Sequence, residues 1–294
     1  MVQTIEDFLD YCLNKKRIAY NTYKSYESDL RKFRDFMFSI DIRAVQDITK
    51  TNLNAYLISL ERKNYSVATI SRNITSLKSY FHYLEKKHLI YENPAEELKL
   101  PKIEKKSPEV LSEEEVDMLL AMPDVESLKG MRDAAILELL YATGIKVSEL
   151  VLLEVEDVNL KLNFVRCGEE EKERVIPFGS MARTALLKYL SEARETMVDN
   201  EENTRLFINC RGGSLSRQGV WKMIKEYAHK AGIEKEITPH TLRHTFAAHL
   251  IGNGADFKSV QEMLGHSDIS TTQMYAGFQK NRLREVYTKN HPRG

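Results

Sequence analysis

The segment at residues 238–244 carries two histidines and one arginine at the spacing of a helix face. It reads Thr-Pro-His-Thr-Leu-Arg-His, and Pro239 suits the first turn of a helix. At about 3.6 residues per turn, His240, Arg243 and His244 share one face. The opposite face carries Leu242, Phe246, His249 and Leu250. Because arginine and histidine donate hydrogen bonds to anionic oxygens, the polar face predicts an anion site.

Two histidines four residues apart also suggest a metal site. The zinc pattern on a helix needs a glutamate after the first histidine, where Thr241 stands, and no cysteine pair lies near. We therefore expect neither a metal nor another cofactor. A purely structural role for the histidines remains the other alternative at this point.

A further histidine and a tyrosine follow the next predicted helix. Asp256 suits the N-cap of that helix and Gly265 its C-cap. His266 therefore comes directly after a helix end, where its ring can face a cleft, and Tyr275 lies nine residues later. Since Tyr275 is one of 14 tyrosines, its meaning depends on these neighbours.

The elements that must position these residues fall into two predicted domains. Over residues 1–100, apolar stripes at spacings of three and four predict four short helices packed as a bundle. The fourth helix carries Arg72 and Lys78 among small polar residues, a face that fits a DNA backbone or ordinary solvent. Prolines and charges predict a linker over residues 101–109.

Residues 110–294 predict a second domain that is again mainly helical. A capping box at 112–115 begins one helix, and a strongly apolar helix is predicted from Arg132 to Thr143, where Gly144 ends it. Two short β-like runs, Phe164–Cys167 and Arg174–Pro177, predict a hairpin.

Charge, cysteines and hydropathy narrow the class of protein. The net charge is zero, but residues 1–106 carry 19 basic against 14 acidic side chains and residues 107–294 carry 24 against 29. A basic first part suits a phosphate-facing domain, with ordinary scatter as the alternative. Three widely spaced cysteines fit a reducing compartment, and no run of about 18 apolar residues occurs. We therefore expect a cytoplasmic protein.

Taken together, these segments resemble the tyrosine recombinase family, also called the phage integrases. The catalytic region is matched by His-x-x-Arg-His at 240–244, Leu-Gly-His at 264–266 and Tyr275. Three further segments resemble the family's DNA clamp, the helix and turn of its first arginine and its second hairpin strand: 66–84, 132–150 and 172–177. The ending His291-Pro-Arg293 is similar to that of Xer recombinases that resolve chromosome dimers.

The resemblance implies a mainly α fold with a small β-hairpin in the second domain. The first domain would be a SAM-like bundle that binds core DNA, and both domains would form a C-shaped clamp on DNA. The protein would then be associated with the nucleoid in the cytoplasm. The segment with Arg217 and Trp221 resembles a helix that lies against DNA in related proteins. An apolar C-terminal tail would join four like or unlike subunits on two duplexes, with packing on its own domain as the alternative. The tail's apolar residues are Phe278, Leu283, Val286 and Tyr287.

The resemblance also implies a site-specific DNA recombinase. A tyrosine hydroxyl, that of Tyr275, would attack a backbone phosphate and form a 3′-phosphotyrosyl link with a free 5′-hydroxyl. Arg243, His240 and His266 would stabilise the phosphate or carry a proton. Glu149 would orient its neighbour Lys146 and not touch DNA.

Two positions depart from the family's pattern. Lys146 occupies the position of the family's first catalytic arginine. A lysine there keeps the positive charge but lacks the planar guanidinium that contacts two phosphate oxygens. Glu169 stands at the hairpin lysine, and Lys172 is a possible substitute for that lysine. Two hypotheses follow: an active recombinase, or a DNA-binding relative with impaired cleavage that serves as a partner subunit or regulator. The second includes an engineered Lys146; a plain transcription regulator would not need Tyr275 and His266 in register.

Overall fold

The computed structural model describes residues 1–101, 108–168, 173–200, 202–238, 240–265 and 275. It divides the chain into two compact units, Met1–Lys105 and Lys106–Gly294. The described part is mainly helical and carries one three-stranded antiparallel sheet, which confirms the predicted fold class. None of its helices combines the length and the apolar character that crossing a bilayer requires.

The first unit is built from four helices around one apolar core. These are α1 (Val2–Asn14), α2 (Tyr20–Ser39), α3 (Lys50–Arg62) and α4 (Val67–Lys86). Thr49 and Ser66 cap α3 and α4 by accepting backbone N–H groups in the first turn. The core is rich in aromatic residues that meet edge to face, such as Phe33 against Tyr56 and Phe81.

A buried carboxylate joins α2 to α4. Asp29 is 1% exposed and accepts two hydrogen bonds from Arg72, at 2.9 and 2.8 Å, and one each from Asn73 and Ser76. Tyr56 of α3 donates to the amide oxygen of Asn73. Because each polar group in this network has partners, the carboxylate is accommodated inside an otherwise apolar bundle.

The second unit begins with three helices and a sheet. The helices are α5 (Glu113–Leu120), α6 (Leu128–Thr143) and α7 (Val147–Leu150). A 3₁₀ turn, Val155–Asp157, precedes the strands β1 (Val158–Asn159), β2 (Phe164–Cys167) and β3 (Arg174–Pro177). The two hairpin strands have the predicted bounds and pair in the register Val165–Ile176 and Cys167–Arg174.

The rest of the second unit is helical. It contains α8 (Ser180–Lys188), a π-helical turn (Tyr189–Arg194), α9 (Glu195–Met197), α10 (Arg217–Lys230), α11 (Thr241–Gly252) and α12 (Phe257–Leu264). Asp256 and Gly265 cap α12 as predicted, with Gly265 in the left-handed conformation at φ 63°. Helix α6 begins one turn earlier than expected, because Ser127 caps it by accepting the Gly130 N–H.

Candidate active site

Arg243 lies inside the protein between the ends of two other helices. Its Nη1 donates to the Gly144 carbonyl at 2.6 Å, and its Nη2 donates to the Leu264 carbonyl at 2.5 Å. The first carbonyl ends α6 and the second ends α12. Burial lowers the pKa of Arg243 below its ordinary value, but a guanidinium keeps its proton in proteins. The site therefore holds a fixed positive charge whose remaining N–H groups can serve a phosphate.

The helix of Arg243 differs from the predicted two-faced helix. The expectation that His240, Arg243 and His244 form a polar face turned away from the packed one is wrong for Arg243, which is 4% exposed. The reason is that α11 packs against both α6 and α12, so most of its circumference is buried. On the other side of the helix, His249 Nε2 donates to the Leu111 carbonyl at 3.0 Å, and its Nδ1 lies 2.9 Å from the Tyr141 hydroxyl.

Tyr275 packs in the small apolar core between α11 and α12. It is 1% exposed and lies among buried residues that include Phe246, Val260 and Leu264. Its hydroxyl is 2.5 Å from Nδ1 of His244. Burial raises the pKa of Tyr275 to about 12, although the Arg243 charge opposes that rise. The phenol is therefore protonated at neutral pH.

His244 is the acceptor in that hydrogen bond. Burial, together with the charges of His240 and Arg243, lowers the pKa of His244 to about 4. The ring is neutral at pH 7, so the Tyr275 hydroxyl donates to Nδ1 and the ring proton is on Nε2. The hydroxyl is thereby held in place beside the site's arginine.

His240 is the N-cap residue of α11 and is exposed, although its ring is partly covered by the protein. Its ring centroid is 6.2 Å from that of His244. Burial lowers the pKa of His240, and the positive charges of Arg243 and Lys146 lower it further. A neutral imidazole between two cations can accept a proton or donate a hydrogen bond to an anion between them.

Lys146 and Glu149 occupy the first turn of α7. Lys146 is the exposed N-cap residue, and its backbone N–H donates to Glu149 Oε2 at 2.8 Å. Burial raises the pKa of Glu149, but hydrogen bonds from Arg174 and from the Lys146 N–H outweigh it and hold that pKa below its ordinary value. Glu149 is thus an ionised anchor that fixes the backbone from which the Lys146 side chain extends.

Arg174 is a buried residue of the candidate site that the motifs did not single out. Its Nη1 and Nη2 donate to the two carboxylate oxygens of Glu149 at 3.0 and 2.9 Å, and its Nε donates to the Met263 carbonyl at 2.7 Å. A signal was present in the sequence. Arg174 is in phase with the buried Ile176 on strand β3, and a charge on the inner face of a strand requires a partner.

Three of the predicted site residues lie outside the described residues. They are His266, Glu169 and Lys172. His266 follows Gly265 directly in the chain, and the other two precede β3. Within the described ranges, no group of three His, Cys, Asp or Glu side chains could hold a metal ion.

The residues predicted to contact DNA differ in exposure and in their contacts within the protein. Arg217 and Trp221 are exposed on α10, and Lys225 lies 5.1 Å over the Trp221 ring. Arg72 is engaged with Asp29, although 43% of its side chain is exposed, and Lys78 donates to the Glu96 carbonyl at 3.0 Å.

The chain matches two family models and is similar to known recombinases. The phage integrase family model matches residues 109–282, and the model of the phage integrase N-terminal SAM-like domain matches residues 5–88. The tyrosine recombinase XerD of Oceanobacillus iheyensis is 44% identical over 292 residues, which cover 98% of each chain. The XerD of Listeria monocytogenes serotype 4b is 42% identical over 100% of both chains.

Solved structures agree on the fold. A crystal structure of XerA recombinase is 29% identical, with 99% of each chain covered and a TM-score of 0.56. The XerH site-specific recombinase bound to its palindromic difH substrate, a post-cleavage complex, has a TM-score of 0.76 over 97% of this chain and 84% of that one. At 23% identity, this second likeness speaks for the fold alone.

The chain therefore belongs to the phage integrase family, and within it to the Xer-type tyrosine recombinases. Its expected class as a DNA strand transferase and its function in site-specific DNA recombination are confirmed. The roles of the individual residues in that reaction remain predictions.

Proposed function

We propose that this recombinase cleaves one DNA strand at a time through Tyr275. The Tyr275 oxygen attacks the phosphorus, the bond from phosphorus to the 5′-oxygen breaks, and a 3′-phosphotyrosyl link and a 5′-hydroxyl result. A 5′-hydroxyl from the second duplex then attacks the same phosphorus and releases the tyrosine. The bond energy is kept in the tyrosyl ester, so the exchange uses neither a nucleotide nor a metal.

The observation that carries the proposal is the grouping of a tyrosine hydroxyl with one buried arginine and two neutral histidines. Arg243 is close enough for its charge to lower the pKa of Tyr275 and of both histidines. A fixed guanidinium suits the negative charge that gathers on the phosphate oxygens in the transition state. His240 is placed to take or return a proton.

Lys146 contributes a second cation at the exposed edge of this group. A single ammonium lacks the two-pronged contact of an arginine with two phosphate oxygens, so we expect slower cleavage than an arginine would support. The high identity to Xer recombinases over the whole chain favours the cleaving protein over the impaired relative.

The assembly belongs to the same proposal. The structural neighbours are recombinases bound to DNA, and we place this protein likewise on a duplex recombination site. We expect four subunits on two duplexes, joined through the C-terminal tail, and a role in chromosome partition on the nucleoid in the cytoplasm. Arg217 and Trp221 are the exposed side chains with which α10 would contact DNA.

A nicked duplex tests the cleavage step. The recombination site is first selected by the full-length protein from a pool of random duplexes. A nick just 3′ of the scissile phosphate then lets the short 5′-hydroxyl fragment diffuse away, so the covalent adduct accumulates and is seen on a denaturing gel. We expect adduct from the unaltered protein, and adduct that persists in Tyr275→Phe would refute the proposal.

The Lys146 and Glu169 departures are tested on the same substrate. We expect Lys146→Arg to raise the rate of adduct formation by on the order of 10-fold, because one preorganised donor contributes about 3–4 kcal/mol and lysine recovers only part. Lys161→Arg, at an exposed lysine, is the matched control. If adduct appears only in the double variant Lys146→Arg, Glu169→Lys, the impaired relative is the correct hypothesis.

A further inference from the structure

Arg174 is a buried arginine that joins three separate elements. It begins strand β3, its side chain is 13% exposed, and both oxygens of Glu149 on α7 accept from it. Its Nε reaches the Met263 carbonyl in the last turn of α12. Each nitrogen of the guanidinium therefore has a partner within the protein.

Arg174 and Arg243 each join the corner between α6 and α7 to the end of α12. Arg243 joins the Gly144 carbonyl to the Leu264 carbonyl, and Arg174 joins Glu149 to the Met263 carbonyl. The two guanidinium groups thus tie the corner between α6 and α7 to successive carbonyls at the end of α12. The Met263 carbonyl directly precedes that of Leu264 in the chain, and Glu149 lies five residues after Gly144.

The close approach of Gly265 shows how tightly this end of α12 is held. A Cβ atom at Gly265 would lie 3.1 Å from the Cζ of Arg174. The absence of a side chain lets the guanidinium pack directly against the chain that ends α12. Residue 265 also has a φ of 63°, so glycine satisfies both the conformation and the contact.

We propose that Arg174 is a positioning residue for strand cleavage, which rests on the function proposed above. Through Glu149 it fixes the backbone of Lys146, and through the last turn of α12 it fixes the carbonyl that orients Arg243. It thereby sets the distance between the two cations that meet the scissile phosphate. We assign it no contact with that phosphate, because its bonds to both oxygens of Glu149 and to the Met263 carbonyl hold the guanidinium against the protein.

The pair with Glu149 explains why an arginine serves here. Removal of one partner from a largely buried ion pair leaves the other charge unpaired, which is costly. A lysine at position 174 would keep the charge but could not contact two carboxylate oxygens and a carbonyl in one plane. We therefore expect Arg174→Lys to retain part of the function and Arg174→Met to lose most of it.

The experiment compares single-turnover adduct formation and DNA affinity in the full-length protein. The variants are Arg174→Met, Arg174→Lys, Glu149→Gln and the double variant Arg174→Met, Glu149→Gln. Arg166→Met is the matched control, since Arg166 is an exposed arginine on the adjacent strand β2. Thermal unfolding of each variant reports whether it is folded, and Arg174→Lys and Glu149→Gln carry the test if Arg174→Met does not fold.

We expect Arg174→Met to slow cleavage by on the order of 100-fold, the effect of a displacement of about 1 Å in a catalytic group. The dissociation constant for DNA should change by less than about 3-fold, and Arg166→Met should match the unaltered protein. Glu149→Gln should also slow cleavage, and the double variant should be no slower than the slower single variant, because the two residues act as one unit.

A modified substrate separates positioning from a general structural defect. When one non-bridging oxygen of the scissile phosphate is replaced by methyl, the phosphate is neutral and depends less on Arg243 and Lys146. The loss caused by Arg174→Met should then shrink by on the order of 10-fold, whereas a folding defect would reduce both substrates equally.

Three results would overturn the role of Arg174. One is unchanged cleavage in Arg174→Met, and another is an equal loss on both substrates. A third is full activity of Glu149→Gln, which would mean that the ion pair between Arg174 and Glu149 does not position Lys146. Absence of adduct from the unaltered protein would overturn the proposed function, and the role of Arg174 in cleavage with it.

Discussion

The hydroxyl of Tyr275 lies 2.5 Å from Nδ1 of His244, a residue 31 positions earlier in the chain. Both side chains lie inside the second unit, and Tyr275 is 1% exposed. A phenol buried to that degree has to move before it can meet a DNA phosphate. We therefore predict that the hydrogen bond to a neutral imidazole is a resting contact, which strand cleavage through Tyr275 would break.

Tyr275→Phe should abolish covalent adduct formation and cost little stability. The variant keeps the buried ring and loses one hydrogen bond, so the free energy of unfolding should fall by about 1 kcal/mol. Tyr189→Phe is the matched control, because Tyr189 is also fully buried and donates to the Leu206 carbonyl at 3.1 Å. Urea unfolding should show similar losses in both variants, with adduct only in the control. A large loss of unfolding free energy confined to Tyr275→Phe would contradict the assignment of the Tyr275 hydroxyl to cleavage alone.

Stability should fall as the pH is lowered from about 6.5 to about 4. His244 has a pKa of about 4 in the folded protein against an ordinary 6.5, so the unfolded chain binds a proton there that the folded protein does not. The lowered pKa of His240 acts in the same direction. Unfolding free energies at pH 7 and pH 5 should differ less in His244→Gln than in the unaltered protein. The exposed His82, changed to Gln, serves as the control and should leave the slope unchanged.

Arg72 should matter for the stability of the first unit. Arg72→Ala leaves the buried carboxylate of Asp29 with only Asn73 and Ser76, and we expect a loss of about 2–3 kcal/mol in the free energy of unfolding. Arg31→Ala removes an exposed pair with Glu27 and should cost less than about 1 kcal/mol. Equal effects of the two changes in urea unfolding would show that the Asp29 network contributes nothing.

The salt dependence of DNA binding tests whether Arg72 also contacts a phosphate. If its guanidinium is fully used by Asp29, removal of the charge in Arg72→Gln should leave the slope of log Kd against log salt unchanged. A slope smaller in magnitude by about one would show that Arg72 also meets a phosphate. The exposed residue Arg217 offers the comparison, since we expect Arg217→Ala to reduce that slope.

Gly144→Ala should be much more harmful than a similar change elsewhere. Gly144 has a φ of 60°, and a Cβ there would lie 2.3 Å from the Cδ1 of Phe246, while its carbonyl holds Arg243. Gly232 has a φ of 69° with open space around it, so Gly232→Ala measures the backbone strain alone, about 1 kcal/mol. We expect Gly144→Ala to cost at least about 2 kcal/mol more than that control and to slow adduct formation. Similar melting temperatures for both variants would argue against the clash.

Local patterns predicted the elements well because their causes are local. The apolar spacing of the helices, the caps at Ser112, Asp256 and Gly265, and the bounds of β2 and β3 all follow from neighbouring residues. The start of α6 was placed too late, because Ser127 caps it although its first turn lacks a clear apolar stripe. The order of the short motifs was enough to predict the family.

The candidate site could be predicted only in part. Arg243, His240 and Tyr275 were found because they stand in motifs, and Lys146 because it replaces an arginine within one. Arg174 was missed as a site residue, since its partners Glu149 and Met263 are 25 and 89 residues away in the chain. The contact of His244 with Tyr275 was missed for the same reason.

By itself, the sequence determined the two-part helical architecture, the hairpin, the family and the residue types that are proposed to meet a phosphate. These depend on periodicity, capping and the order of motifs along the chain. Only the tertiary structure decided that Arg243 is buried between two helix ends, that Arg72 is tied to Asp29, and that Tyr275 rests on His244. Burial and long-range hydrogen bonds depend on which elements pack together, and these contacts decide which of the conspicuous charges is free to meet DNA.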